Sequence, residues 1–572
     1  MSRLLSNINF HKLAISCLIL GSTSLWCGCD DFFQPDNNSI LYGEEYIGEG
    51  SEIYSGYLGI ITCLQKVGDK AIYLTDTRAE LLEPTGNNDD LYALYSYDTD
   101  LGNNTYANPA EYYDLIIACN DFLHKASTFH HHFPTAIPEE HYSGLISGVV
   151  RLKTWTYFTM ARIYGEVVWF DEPLKTMSDY KDSTRFERLN LDQTIRRCVD
   201  YMNRGFEGID GTSTMSWVEW INSAGISDEN ADNYYYWDYM VPEHFMLSAE
   251  LALWQQRWQD VVDILLPRIN RVFEGVSLSS SEGMWMMNAG YKNAYHKMWD
   301  NTAPRSTATI SVILYDYAHN QTNELLRHFN SEYMLRPSLG GIANFTASDF
   351  NPTLEGTTSN FRLSNTIYTH SSGNNYLQKY RRYSGSDARP NTLQDDVHIY
   401  LYRSAELYFM LLSAFNHISG KQYELETLMN SSIDTEWANC DKYVYPTIED
   451  LFPGFSPDWT RNSIRGTRSY PTLGIRTVYA ESLPRSFKSV ETIAGRKHND
   501  VQILQEYCLE FAGEGKTMME MIRVARIYND PSIIADIVCR KYPEEMKEDI
   551  RNKIMSGGYF VSWDIDSPST SF

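Results

Sequence analysis

Cationic side chains are in short supply, with 48 Lys and Arg against 74 Asp and Glu and a net charge of −26. That balance argues against nucleic acid as a partner and against electrostatic docking on anionic headgroups, so a neutral or cationic ligand is expected. Cysteine is sparse, nine in 572 residues, and none stand at metal-ligand spacing. The chain has no Gly-x-Ser-x-Gly elbow, no His-Glu-x-x-His helix and no phosphate-binding glycine loop, which removes the common hydrolytic and nucleotide-binding machineries. Long apolar runs are missing too, and no segment reaches the ~20 apolar residues that a membrane-spanning helix needs. No cofactor and no metal are expected.

What is present begins at the N-terminus. Arg3, His11 and Lys12 precede a short apolar core, Leu13 to Leu20 and on to Leu25-Trp26, the pattern of a secretory signal over residues 1–28. Directly after it, Gly28-Cys29-Asp30-Asp31 sets a small residue before a cysteine and a sharp rise in polarity. The small residue fits a peptidase pocket, and the Cys29 thiol is the expected lipid acceptor. Acyl chains contribute about 0.8 kcal/mol per buried CH2, so such an anchor would hold the chain on a membrane. Residues 29–50, containing Pro35-Asp36-Asn37-Asn38-Ser39, read as the anchor and a polar tether. An ordinary cleaved signal with a coincidental cysteine is the alternative. Cys63, Cys119, Cys198, Cys440, Cys508 and Cys539 are expected to be mainly buried thiols, since several lie in apolar surroundings.

Residues 51–572 read as a single, mainly α domain. Tyr112 to Leu123 and Tyr142 to Tyr164 carry apolar residues at helical spacing, the second helix ending at Gly165. Ala249 to Leu253, a turn at Gln255-Gln256-Arg257, and Trp258 to Leu265 suggest a tetratricopeptide-type helical hairpin, with a second from Arg403 through Ser419-Gly420 to Leu428. Residues 271–400 and about 440–500, rich in Ser, Thr, Asn and Gly and broken by Pro304, Pro337, Pro352 and Pro390, are expected to be an irregular lobe. Such segments, laid over a rigid scaffold, are where binding residues tend to sit.

Several blocks, in order, resemble the SusD/RagB family of nutrient-binding outer-membrane lipoproteins of Bacteroidota. They are Cys29-Asp30-Asp31-Phe32-Phe33, Tyr113 to Asn120, Arg151 to Phe158 with Arg162-Ile163-Tyr164-Gly165-Glu166-Val167, Arg403-Ser404-Ala405-Glu406-Leu407-Tyr408, and Glu506 to Gly515. The chain departs from the family's pattern at Val168 and at Lys516-Thr517-Met518-Met519-Glu520, as a divergent member would. The resemblance implies a tetratricopeptide-like scaffold with a loop-rich lobe and no catalysis. It also implies capture of an oligosaccharide, or of a peptide, at the outer-membrane surface, and delivery to a SusC-like TonB-dependent transporter partner.

Sugar capture calls for flat rings with hydrogen-bonding neighbours. Arg78, Tyr97, Asn104 and Tyr106, with Tyr92 and Tyr95, form one candidate group, and Trp285, Tyr291, Tyr295 and Trp299 a second. For each ring a place in the core is the competing reading, and for Arg78 an internal salt bridge. His130-His131-His132 with His141 invites a metal reading, but consecutive histidines cannot all face one ion. Arg151, Glu406 and Glu510 are expected in buried ion pairs. A lipid-anchored glycoside hydrolase, which needs two carboxylates about 5 to 10 Å apart, and a protein-binding helical adaptor are the competing function classes.

Overall fold

The computed structural model describes residues 49–86, 88–204, 240–269, 299, 309–315, 320–349, 363, 366–380, 383–384, 387–388, 397–431, 475 and 485–563. Cys29, Trp285, Tyr291, Tyr295 and Cys440 lie outside these residues.

The N-terminal part comprises α1 (Gly50–Val67), β1 (Leu82–Pro84), α2 (Asp89–Tyr95), α3 (Ala110–His132) and α4 (Glu139–Tyr164). The chain continues through β2 (Glu166–Trp169), α5 (Met177–Lys181), β3 (Glu187–Asn190) and α6 (Leu191–Arg204). Both sequence-expected helices are present, extended at their N-terminal ends to prolines: Pro109 caps α3 and Pro138 caps α4. These prolines suit a helix start, where a missing N–H costs nothing. Gly165 ends α4 in the left-handed region, φ 82°, with its N–H donated to Ala161 O. A Cβ there would stand 3.0 Å from the Phe560 ring, so glycine is required twice over.

From Arg151 to Tyr164 every residue of α4 is buried, which makes it the central helix. A helix buried all round must pair its polar side chains inside the fold. Thr154 and Thr156 donate their hydroxyls back to Val150 O and Leu152 O, and Arg151 donates to Pro242 O at 2.6 Å. Lys153 reaches Asp171 at 2.8 Å. Arg151 is thus buried as expected, with a backbone carbonyl and Ser147 Oγ among its partners.

The second part begins with α7 (His244–Trp254) and α8 (Trp258–Ile269), joined by the tight turn at Gln255 and Gln256. After β4 (Thr309–Ile313), β5 (Leu335–Pro337) and α9 (Leu339–Asp349) come the short strands β6 (Ile367–Thr369), β7 (Asn375–Leu377), β8 (Tyr383–Ser384), β9 (Asp387–Ala388) and β10 (Ile399–Arg403). Then α10 (Ser404–His417) and α11 (Gln422–Glu426) follow, and α12 (Ile493–Phe511), α13 (Thr517–Ile527), α14 (Ser532–Val538) and α15 (Glu544–Met555) close the chain. Sequential packing of α7 on α8, α8 on α10, α10 on α11 and α12, and α12 through α15 builds a stack of helices. Both hairpins read from sequence are therefore present. The strands pair two by two, all antiparallel, β1 with β5, β2 with β3, β4 with β10, β6 with β7 and β8 with β9.

Buried polar side chains tie the stack together. Asp500 of α12 accepts from Asn416 Nδ2 and Tyr528 OH at 2.8 and 2.7 Å, and pairs with His417 at 2.8 Å. Trp258 stacks on that histidine with ring centroids 4.1 Å apart. Cys63, Cys119, Cys198, Cys508 and Cys539 are buried free thiols. No described helix is long and apolar enough to cross a membrane.

Candidate binding site

Where the lobe meets the scaffold, a group of buried charges fixes one to the other. Arg403, at the N-cap of α10, donates to Glu514 from Nε and Nη2, both at 2.9 Å, and to Glu510 from Nη1 at 2.8 Å. Lys379, just past β7, reaches Glu514 at 2.5 Å and Glu510 O at 2.8 Å. Burial by itself would raise the Glu514 carboxyl, but Arg403 and Lys379 outweigh it and hold it at about 2. Lys379 is driven down by burial despite its partners. Glu406 pairs with Lys516 at 2.6 Å, so Glu406 and Glu510 hold the buried structural pairings expected of them.

Trp299 packs on this group, with Lys379 Nζ 4.9 Å from its ring centroid and only 4% of its surface exposed. The ring covers buried cations, where its face offsets charge that water cannot reach. Beside the group lies a cavity of about 60 Å³, lined by Arg162, Glu250, Tyr402, Glu406, Lys516 and Glu520 among others. It is far below the ~300–1,000 Å³ of small-molecule sites and suits a few waters.

The first candidate group is likewise mostly interior. Arg78 is 1% exposed and donates to Gly558 O and Phe560 O, with the Tyr97 ring 4.2 Å below it. Among the described residues backbone carbonyls, rather than a ligand or a carboxylate, take its hydrogen bonds. Tyr97 is buried, sits at φ 55°, and donates its hydroxyl to Arg78 O at 2.5 Å. Asn104 donates to Asp90 O and accepts from the Tyr106 and Ala107 N–H groups, so it shapes its own turn. Tyr97 and Asn104 thus turn their polar atoms to other parts of the fold, while Arg78 is held through Nη2, its Nε and Nη1 buried without a hydrogen-bond partner among the described residues. Tyr95 is buried against Tyr542. Tyr106 is half-buried on Tyr73, centroids 5.0 Å apart, and Tyr92 is exposed beside Pro84.

The histidines are dispersed. His130 pairs with Glu139 and stacks on Tyr142, His132 contacts Thr128 O, and His141 contacts Tyr54 OH. Among the described residues no cluster of His, Cys, Asp and Glu is arranged to hold a metal.

A ring surface that the sequence reading did not single out lies on the β6–β7 hairpin. Strand alternation turns Ile367 and Leu377 inward and leaves the directly opposed Tyr368 and Tyr376 half-buried on the other face. Their centroids are 6.3 Å apart, and Tyr333 adds a third ring 4.8 Å from Tyr376, inclined at 47°. The three form a curved arc. Tyr333 occupies φ 49°, a costly backbone for a bulky residue. It is held there by Thr85, which donates to its carbonyl, and by its own hydroxyl, which donates to Asn375 O at 3.0 Å.

The buried charges steady this arc. Lys379 and Tyr380 follow β7 directly, and Tyr380 OH donates to Gly513 O, while Leu377 fills the space where a Gly513 side chain would go. On elements packed against the hairpin, Arg336 of β5 bonds Glu83 at 2.7 Å, and Arg327 pairs with Glu324 and, at 2.8 Å, with Glu332. The available signal in the sequence was the hairpin pattern itself, Ile367-Tyr368-Thr369 and Asn375-Tyr376-Leu377 around a Ser-Ser-Gly-Asn turn.

A helical-hairpin scaffold carrying a loop-built lobe is the architecture that emerges, and solved structures share the fold. A SusD superfamily protein from Bacteroides vulgatus superimposes with a TM-score of 0.56 at 10% identity, covering 88% of this chain and 92% of the other. Surface glycan-binding protein A from Bacteroides uniformis gives 0.54 at 14% identity over 90% and 94% of the two chains. A laminarin-binding SusD-like protein gives 0.52 at 13% identity over 90% and 98%. The chain has the SusD-like fold. No family model and no curated protein sequence matches it.

Proposed function

We propose that this protein is a non-enzymatic, lipid-anchored binder that captures oligosaccharide at the outer-membrane surface and passes it to a TonB-dependent transporter. The observation that carries the reading is the arc of Tyr333, Tyr376 and Tyr368, two rings on the β6–β7 hairpin and a third beside them just before β5. Stacked rings offer apolar faces to sugar C–H groups, while hydroxyls and neighbouring amides answer the sugar hydroxyls. Two structures that share the fold, at low identity, are described as glycan- or laminarin-binding. Trp285, Tyr291 and Tyr295 of the same lobe are further proposed contacts. Cys29 is proposed to carry the lipid, with residues 30–50 as the tether.

Calorimetric titration against a glycan panel tests the reading. Tyr376→Ala and Tyr368→Ala should each weaken binding about tenfold or more, which is about 1.4 kcal/mol. Chain that bound no glycan, or variants that bound as well as the parent, would defeat it, and turnover of the bound oligosaccharide would favour a hydrolase. Cys29→Ala should release the protein from the membrane fraction.

A further inference from the structure

Two guanidinium groups lie on elements packed against the β6–β7 hairpin, Arg336 on β5 and Arg327 on the helical turn Arg327–Ser331, and each is already engaged. Arg336 is held by Glu83 at 2.7 Å. Arg327 lies between Glu324 and Glu332, bonding the latter at 2.8 Å. Three carboxylates thus face two guanidiniums, and Glu324 and Glu332 are half-exposed, with 50% and 40% of their side-chain surface open. An incoming carboxylate or sulfate would have to break one of these pairs and meet the freed glutamate at close range. Like charges there repel within the screening length, about 10 Å at 0.1 M salt. The rest of the molecule adds to that field, with a net charge of −26. A neutral sugar meets none of this cost, because stacking on a ring and hydrogen bonding to Asn or Thr require no charge.

We infer that the arc selects neutral glycans and rejects uronate- and sulfate-bearing ones, with Glu83 and Glu332 as the specificity-determining residues. The inference rests on the glycan-binding reading above and adds the ligand class. Glu83 acts by occupying Arg336, and Glu332 by occupying Arg327, so each glutamate removes a docking point for an anion and adds a repulsive charge, the two parts of specificity by exclusion.

The test is affinity electrophoresis and calorimetry of the full chain with neutral polysaccharides (laminarin, mannan, xylan) beside polygalacturonate and chondroitin sulfate. Salt is set at about 0.01 M and about 1 M, where the screening length is about 30 Å and about 3 Å. At least one neutral polymer should bind at both salts, and neither anionic polymer at the lower one. Glu83→Gln should lower the neutral-to-anionic affinity ratio about tenfold, with Glu83→Asp keeping the parent ratio. Anionic polymers that bind the parent as well as neutral ones do would overturn the inference and leave the glycan-binding reading standing. An unchanged ratio in Glu83→Gln and Glu332→Gln would overturn it in the same way. Failure of every polymer to bind would remove both.

Discussion

Glu514 is a carboxylate that Arg403 and Lys379 share, beside the Glu510 carbonyl, so Glu514→Gln is the sharpest perturbation of the joint between lobe and scaffold. Glutamine keeps the shape and one acceptor oxygen but removes the charge, leaving two buried cations facing Glu510. Removing one partner of a buried ion pair costs about 3–5 kcal/mol. A second route agrees. Holding the carboxyl at about 2 instead of the ordinary 4.5 corresponds, at about 1.4 kcal/mol per pH unit, to about 3 kcal/mol of preference for the charged form. The sign follows from a folded-state value below the unfolded one. This stabilisation is present above about pH 4.5 and is lost as pH falls through that value towards 2.

Scanning calorimetry and urea unfolding, run at several pH values, read the effect. Glu514→Gln should lower stability by about 3 kcal/mol at neutral pH and flatten its acid decline. Adding Lys379→Met should recover part of the loss, because one unpaired cation is then gone. Hydrogen exchange across residues 375–380 should quicken in the single variant, since Lys379 ends the hairpin. A change under about 0.5 kcal/mol, the range of ordinary surface substitutions, would refute the reasoning.

Tyr333→Asn separates ring from backbone: asparagine tolerates positive φ, so the midpoint of unfolding should move little while glycan affinity falls about tenfold, and Tyr333→Phe should retain binding. Burial raises the Asp76 carboxyl to about 8, so it folds preferentially protonated, and its contribution is lost as pH rises from about 4 through 8. Asp76→Asn should therefore gain relative to the parent across that window, by at most about 1.4 kcal/mol per pH unit in unfolding titrations. Gly165→Ala combines a positive φ with a close Phe560 ring and should cost about 1–3 kcal/mol by thermal unfolding, whereas Gly420→Ala, at similar φ in open space, should cost only the backbone part.

The sequence by itself determined the scaffold. Apolar spacing in Tyr112 to Leu123 and Tyr142 to Tyr164, the stop at Gly165, and the small-residue faces around Ala249 and Ala405 are local signals, and local signals are what helices are made from. It also marked residues 271–400 and about 440–500 as the expected irregular lobe, because loops betray themselves by composition. Which rings would face outward was a different matter. Arg78, Tyr97 and Trp299 have the residue types of a sugar site, yet they are interior: Gly558 and Phe560, distant in sequence, hold Arg78 over the Tyr97 ring, and Lys379 and Arg403 lie against Trp299. Tyr333 and Tyr376 become one surface through a turn at positive φ and a short strand pairing, neither of which leaves a strong mark in composition. Exposure is a property of how separate segments pack, and only the tertiary structure decided it.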